Sequence, residues 1–241
     1  GSRSIEQLKA VFARCQSMWS QDKDKAYQKI NSELKGLRQD VTEQHLELTQ
    51  IGLNIYEFSC ETSILAQDWA VYETCAELVS HQHQQMPGAS EREGEFLALR
   101  FLYSLCSGDT MGAIPPDYEL PEVDEPVNRL VYMRRLKDLR QGNVPKDIRD
   151  FCLKLHGVLW SENYVRALKL SREPPNALFG TICGRGVPLF RLKSLSIACT
   201  SHFYLGLERA KALTSFSTPE TCLRLLKVLF KTFSHENQHT F

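Results

Sequence analysis

The sequence predicts an all-α protein built from pairs of antiparallel helices, each burying one face on its neighbour. Two observations carry this. Apolar residues recur every three or four positions along one stretch after another, the spacing of a single helix face. Between those stretches stand polar, glycine-bearing or proline-bearing breaks that separate one helix from the next.

The elements follow in order. Ile5, Leu8, Val11, Phe12, Cys15, Met18 and Trp19 predict an amphipathic helix, with a polar break at Ser20 to Asp24. Ala26, Tyr27, Ile30, Leu34 and Leu37 predict a second, and Val41, Leu48, Ile51 and Ile55 the start of a third. The run from Leu34 to His45 is where these two patterns meet. Gly36 loosens the first helix there, and Asp40, with Glu43 three residues later, has the pattern of an N-cap. Arg38 and Asp40 are therefore expected at a helix–helix junction, the guanidinium on orphan carbonyls and the carboxylate on orphan amides. Leu46 to about His83 reads as two helices hinged between Cys60 and Asp68, the second with Trp69, Tyr72, Cys75, Ala76 and Val79 inward. A loop follows at Met86 to Ser90, then a strongly apolar helix from Glu95 to Cys106. Ser107 to Pro126 is acidic and holds four prolines, so it reads as a loop. A basic helix spans Val127 to Gln141, and Pro145 opens another that buries Ile148, Phe151, Cys152, Leu155, Val158 and Leu159. Helices are further expected at Pro174–Cys183, Pro188–Thr200, Phe203–Phe216 and beyond Ser217.

Composition bounds the function. Apolar residues make up 42% and charged residues 24%, ordinary for a soluble globular chain. The net charge is zero, so no overall field favours nucleic acid or membrane, yet the charge is uneven. Residues 180–241 carry eight Lys/Arg against three Asp/Glu, which points to a basic module at the C-terminal end. The eight cysteines form no C-x-x-C pair and sit mostly on apolar helix faces, as in a reducing compartment. No signal peptide and no long apolar run is visible, so no membrane span is expected.

Five stretches carry a family resemblance. Leu37-Arg-Gln-Asp-Val-Thr-Glu-Gln44 resembles the I-R-Q-D-[LFV]-T-x-Q signature of the SAC/GANP family, the germinal-centre-associated nuclear protein and its relatives. Gly94-Glu-Phe-Leu-Ala-Leu-Arg-Phe-Leu-Tyr-Ser-Leu105, followed by Gly108-Asp109, is similar to its G-E-F-x-x-Y-R-[IL]-L-Y-x-[IL]…G-D pattern, with Leu99 in place of Tyr. Ser161 to Leu170 is close to G-N-Y-x-R-F-F-[KR]-L, with Ser161-Glu162 replacing the Gly and Ala167-Leu168 the bulky pair. Lys193 to Ala198 resembles a [KR]-A-L-x-x-[IL]-x-x-A helix of the family, and Phe203 to Leu226 the two helices of its winged-helix segment. The resemblance runs from about Ile5 to Phe233. It implies a PCI-type scaffold of mRNA export or transcription-coupled RNA processing, nuclear and non-catalytic. Its expected layout is a helical repeat array over 4–185 and a winged-helix module over 186–241 whose wing is short or truncated. It further implies pairing with a second PCI protein and a small acidic DSS-like protein, and contact with RNA. The alternative is a purely architectural subunit of a large PCI assembly, of proteasome-lid or signalosome type, without nucleic-acid contact.

No catalytic constellation stands out. Gly180 to Gly186 is glycine-rich but lacks the G-K-[ST] ending of a phosphate loop. His81 and His83 are expected at a frayed helix end facing different ways. His235 and His239 have i,i+4 spacing but no accompanying ligand motif. No Ser or Cys occupies a nucleophile elbow, and neither metal nor cofactor is expected. The candidate nucleic-acid-binding residues are Arg191, Lys193, Arg209, Lys211, Arg224, Lys227 and Lys231. In the last helix the 4,3,4 spacing of Cys222, Leu226, Leu229 and Phe233 predicts the inward face, leaving Arg224, Lys227 and Lys231 outward. Phe203, Tyr204, Leu205 and Leu207 are the expected partner interface. Arg38, Gln39, Asp40, Thr42 and Gln44 are the structural signature.

Overall fold

In the computed structural model residues 3–107, 129–201, 206–216, 218 and 221–227 are described. Their regular secondary structure is all helix, with no β-strand among them. The chain divides into two compact units, Gly1–Leu97 and Ala98–Phe241. The boundary falls inside one helix, α5 (Glu93–Cys106), whose first residues belong to the former and the rest to the latter.

The first unit is two helical hairpins, α1 (Ile5–Gln21) with α2 (Lys23–Glu43) and α3 (Gln50–Leu65) with α4 (Trp69–Gln85), joined where α2 packs on α3. Ser4 caps α1 in a reciprocal box with Gln7. Much of the core is what the periodicity selects: Leu8, Phe12, Cys15 and Trp19 on α1, Ile30, Leu34 and Leu37 on α2, then Tyr72, Cys75 and Val79 on α4. Val41, expected to open the third helix, closes α2 instead, and Ile5 and Leu48, expected inward, are exposed. Thr49 and Asp68 cap α3 and α4 by accepting from the Gly52 and Val71 amides. Asp68 also accepts from the Tyr27 hydroxyl at 2.8 Å, which ties the α3–α4 turn to α2.

The expected junction inside Leu34–His45 does not exist. α2 runs unbroken through Gly36 to Glu43. Asp40 lies within its last turns, where its carboxylate takes the Arg3 guanidinium and, at 3.4 Å, the Arg3 amide. Gln44 completes the clasp by donating to the Arg3 carbonyl at 2.8 Å. Gly36 is part of the same clasp, since a Cβ there would come within 3.2 Å of the Arg3 guanidinium. Arg38 binds no helix-end carbonyl; it donates to Ser59 Oγ on α3 at 3.0 Å. Thr42 Oγ1 lies 3.4 Å from the Tyr56 hydroxyl, and Gln39 is exposed. The signature residues other than Gln39 thus bind α2 to the N-terminal strap and to α3. Asp40→Ala should lower stability by about 1 kcal/mol, the worth of a half-exposed charged hydrogen bond. Arg3→Ala should lower it comparably and the double variant little further, as a denaturant-melting double-mutant cycle would register.

The second unit contains the remainder of α5, then α6 (Arg129–Gln141), α7 (Lys146–Trp160), α8 (Tyr164–Leu170), α9 (Ala177–Ser201), α10 (Leu207–Thr214) and α11 (221–227). α9 corrects a second expectation. The two helices predicted at Pro174–Cys183 and Pro188–Thr200 are one, with Pro188 inside it. Proline removes the bond to the carbonyl four residues back. That carbonyl belongs to Gly184, which is exposed and can be hydrated. The boundary expected at 185/186 therefore falls within a continuous helix. Gly186 also serves packing, because a Cβ there would lie 2.7 Å from Phe190 Cζ and 3.1 Å from Cys106 Cβ.

Three helix ends share one device. His45, Gln67 and Glu162 have φ of 55°, 58° and 55°, and the amide after each returns to the carbonyl five residues earlier: Leu46 to Val41, Asp68 to Ser63, Asn163 to Val158. This is the Schellman closure, usually built on glycine. In the last two cases the next residue, Asp68 or Asn163, immediately caps the following helix.

Candidate nucleic-acid interface

The C-terminal part of the second unit has its own small core. Leu192 and Leu195 of α9, Ala210 of α10, and Cys222 and Leu225 of α11 are buried together, with Leu207, Phe216 and Leu226 packed against them. Burial pushes the Cys222 thiol up from its ordinary pKa. α9 also caps the end of α10. Ser194 Oγ donates to the Leu213 carbonyl and Arg191 Nε to that of Thr214, each at 3.1 Å. Those are carbonyls a helix end leaves without intrahelical partners.

This core decides which cations face water. On α11 the buried pair Cys222 and Leu225 turns Arg224 and Lys227 outward, and both are exposed. Leu225, rather than Leu226 alone, closes the core, so the inward face starts with a 3-residue step instead of the predicted 4-residue one. On α10 Arg209 is exposed and Lys211 half-buried, while Lys193 of α9 is half-buried. Arg191 has a different position from that expected of a ligand-binding group. Besides its bond to Thr214, its guanidinium sits 4.4 Å from the Phe216 ring centroid, a cation–π contact. Lys231, Leu229 and Phe233 lie outside the described residues.

An open cavity of about 360 Å³ adjoins α10, lined by Arg172, Glu208, Lys211, Ala212, Ser215 and Phe216. Arg172, on the turn after α8, donates to the Ser215 carbonyl at 3.3 Å. Spacing along the chain could not select Arg172, because 43 residues separate it from Ser215. Two cations and an aromatic ring around a shallow cavity suit an anion carrying a planar group, with Glu208 limiting how much negative charge it holds.

The expected partner interface is only partly within view. Phe203, Tyr204 and Leu205 lie outside the described residues. Leu207 is packed against the small core. Ile197 of α9 and Leu223 of α11 are the large apolar side chains that this region exposes among the described residues.

His83 and His156 each bind a neighbouring side chain, while His202, His235 and His239 lie outside the described residues. His83, expected at a frayed end, is 4% exposed and hydrogen-bonds Glu57 at 2.8 Å. His156 pairs with the Tyr132 hydroxyl. Among the described residues no group of three His, Cys, Asp or Glu is placed to hold a metal ion. None of the described helices is long and apolar enough to cross a membrane. No protein-family model and no curated protein matches the chain.

Proposed function

We propose that this protein is a non-catalytic helical scaffold that binds RNA through its C-terminal helices. The observation that supports this most is the outward set Arg209, Arg224 and Lys227. A buried apolar core fixes their direction, and none is in an ion pair among the described residues. Cations held outward on a small module grip phosphates without reading bases. The resemblance of Phe203 to Leu226 to a winged-helix segment, and of Leu37 to Gln44 to the SAC/GANP signature, extends the reading to a PCI-type subunit. Such a subunit would act in the nucleus, in mRNA export or transcript processing. It would pair there with a second PCI protein and a small acidic DSS-like protein, and Ile197 and Leu223 are apolar groups such a partner could cover.

The test is reversal of Arg224, Lys227 and Lys231 to Glu. Binding of a single-stranded RNA, followed by fluorescence polarisation, should be lost at low salt while circular dichroism stays that of the parent. The parent's affinity should fall steeply with salt, by about 0.7 in log K per log salt for each phosphate contacted. A folded triple variant that binds as the parent does would refute the reading and favour an architectural subunit of a large PCI assembly.

A further inference from the structure

A second candidate site lies on α6 and α7 of the same unit, built from none of the nucleic-acid-binding residues named above. α7 completes its inward face with Ile148, Phe151, Cys152, Leu155, Val158 and Leu159, all buried, and needs nothing from its last residue. That residue is Trp160, which is 73% exposed. An indole is a large apolar surface to leave in water, and a protein that does so commonly uses it for recognition.

Trp160 is also the outer end of a stack of rings. Phe101, fully buried, lies against Tyr132 with centroids 5.7 Å apart and planes 29° apart. Tyr132 meets His156 at 5.9 Å and shares a hydrogen bond with its Nδ1. His156 in turn meets Trp160 at 5.9 Å. Both titratable rings of the stack favour their uncharged forms. Burial pushes the Tyr132 phenol up to about 12, and burial together with the charge of Arg140 holds the His156 imidazole below its ordinary range. The indole is thereby backed by rings anchored in the core, so little ordering remains to be done when a ligand arrives.

The surroundings fit a planar anion-bearing ligand. Gly157 lies one turn before Trp160 on the same face, and where its Cβ would stand there is no atom within 4 Å. The approach along the indole is therefore unobstructed by a side chain at that position. Arg140, whose charge reaches both Tyr132 and His156, is exposed, as are Arg134 and Lys137. Asp138 is the lone acid of α6. On α7 the acids Asp147 and Asp150 stand ten or more residues before Trp160, about 15 Å along the helix. Glu162, in the turn beyond Trp160, is the acid close by in sequence.

We propose that Trp160, backed by His156 and Tyr132, is a stacking platform for an unpaired base of single-stranded nucleic acid. The exposed cations of α6 take its phosphates. Exposed aromatic rings beside a cationic track are how proteins hold single strands without reading sequence, because every base offers a π-face. The site shares no residue with the C-terminal cations, and its test stands or falls apart from theirs.

The experiment uses the full chain, a labelled single-stranded uridine 12-mer, and an abasic strand of equal length. Trp160→Ala should weaken binding of the uridine strand roughly ten- to hundredfold, the range of one lost base–aromatic stack. It should leave the abasic strand unaffected. Trp160→Phe should recover most of the loss, since a phenyl ring still stacks. The chain has three tryptophans, and Trp19 is buried. Binding should quench the intrinsic emission in the parent, and that quench should be absent from Trp160→Phe. It should persist in the Arg224, Lys227 and Lys231 reversal at concentrations where that variant still binds. The proposal is overturned if Trp160→Ala binds the uridine strand as the parent does. Equal losses on uridine and abasic strands would overturn it too. So would Trp160 emission that ignores nucleic acid but shifts on adding a protein partner, which would make the face a protein contact.

Discussion

Replacing His83 by leucine should lower the free energy of unfolding by about 3 kcal/mol, a large effect for a residue with no role in binding. His83 lies on α4 at 4% exposure, and its Nε2 is 2.8 Å from Oε1 of Glu57 on α3, itself 8% exposed. The imidazole also packs on Phe96, with ring centroids 5.9 Å apart. Leucine matches the ring roughly in size, so a cavity is not the main consequence. The main consequence is a carboxyl group left inside the α3–α4 pair without its partner. Removing one side of a buried polar pair is far more damaging than removing both. The double variant Glu57→Leu with His83→Leu should therefore recover much of the loss. Urea unfolding of the parent, both single variants and the double variant would measure this. A single variant within 1 kcal/mol of the parent would mean that water reaches Glu57 and satisfies it.

The same pair illustrates what could be read from the chain and what could not. The helices themselves are legible, because the core of α1, α2, α4 and α7 follows the 3.6-residue period, although Ile5 at the start of α1 is exposed. Their ends are not. A helix end is normally marked by glycine, but here the left-handed positions are His45, Gln67 and Glu162. Nothing local distinguishes these from helical residues; and His83, which reads as a frayed end, lies inside a helix reaching Gln85. Asp40 with Glu43 looks locally like a capping box; its actual partner, Arg3, is 37 residues away and invisible to spacing. Pro188 reads as a helix start because its missing amide is harmless there, and only the exposed Gly184 lets it sit in mid-helix. At the candidate interface the outward direction of Arg224 and Lys227 followed from period alone. The internal engagement of Arg191 did not, since it depends on Thr214 and Phe216 of another helix. The exposure of Trp160 is not legible for the opposite reason: the period of α7 is complete without it.

Two helical glycines should respond to alanine with opposite signs, although helix propensity alone predicts the same sign for both. In an unobstructed helix interior, Gly→Ala stabilises by roughly 0.5–1 kcal/mol. Gly157 has no atom within 4 Å of its missing Cβ and should gain stability in that way. Gly52, in the first turn of α3, should instead lose about 1–3 kcal/mol, the usual penalty of forcing extra volume into a packed site. A Cβ there would stand 2.3 Å from the Leu46 carbonyl oxygen and 3.1 Å from that of Glu47, both backbone atoms. Neither can retreat easily. The Leu46 carbonyl accepts from the Thr49 hydroxyl at 2.6 Å and from its amide at 3.2 Å. The Glu47 carbonyl accepts from Gln82 Nε2 of α4, also at 2.6 Å. Moving the loop aside would therefore loosen both the cap on α3 and the link to α4. Thermal melts of Gly52→Ala and Gly157→Ala, compared with the parent, should shift in opposite directions. A Gly52→Ala variant as stable as the parent would show that residues 44–49 yield at little cost, and that the turn between α2 and α3 is not held as its hydrogen bonds indicate.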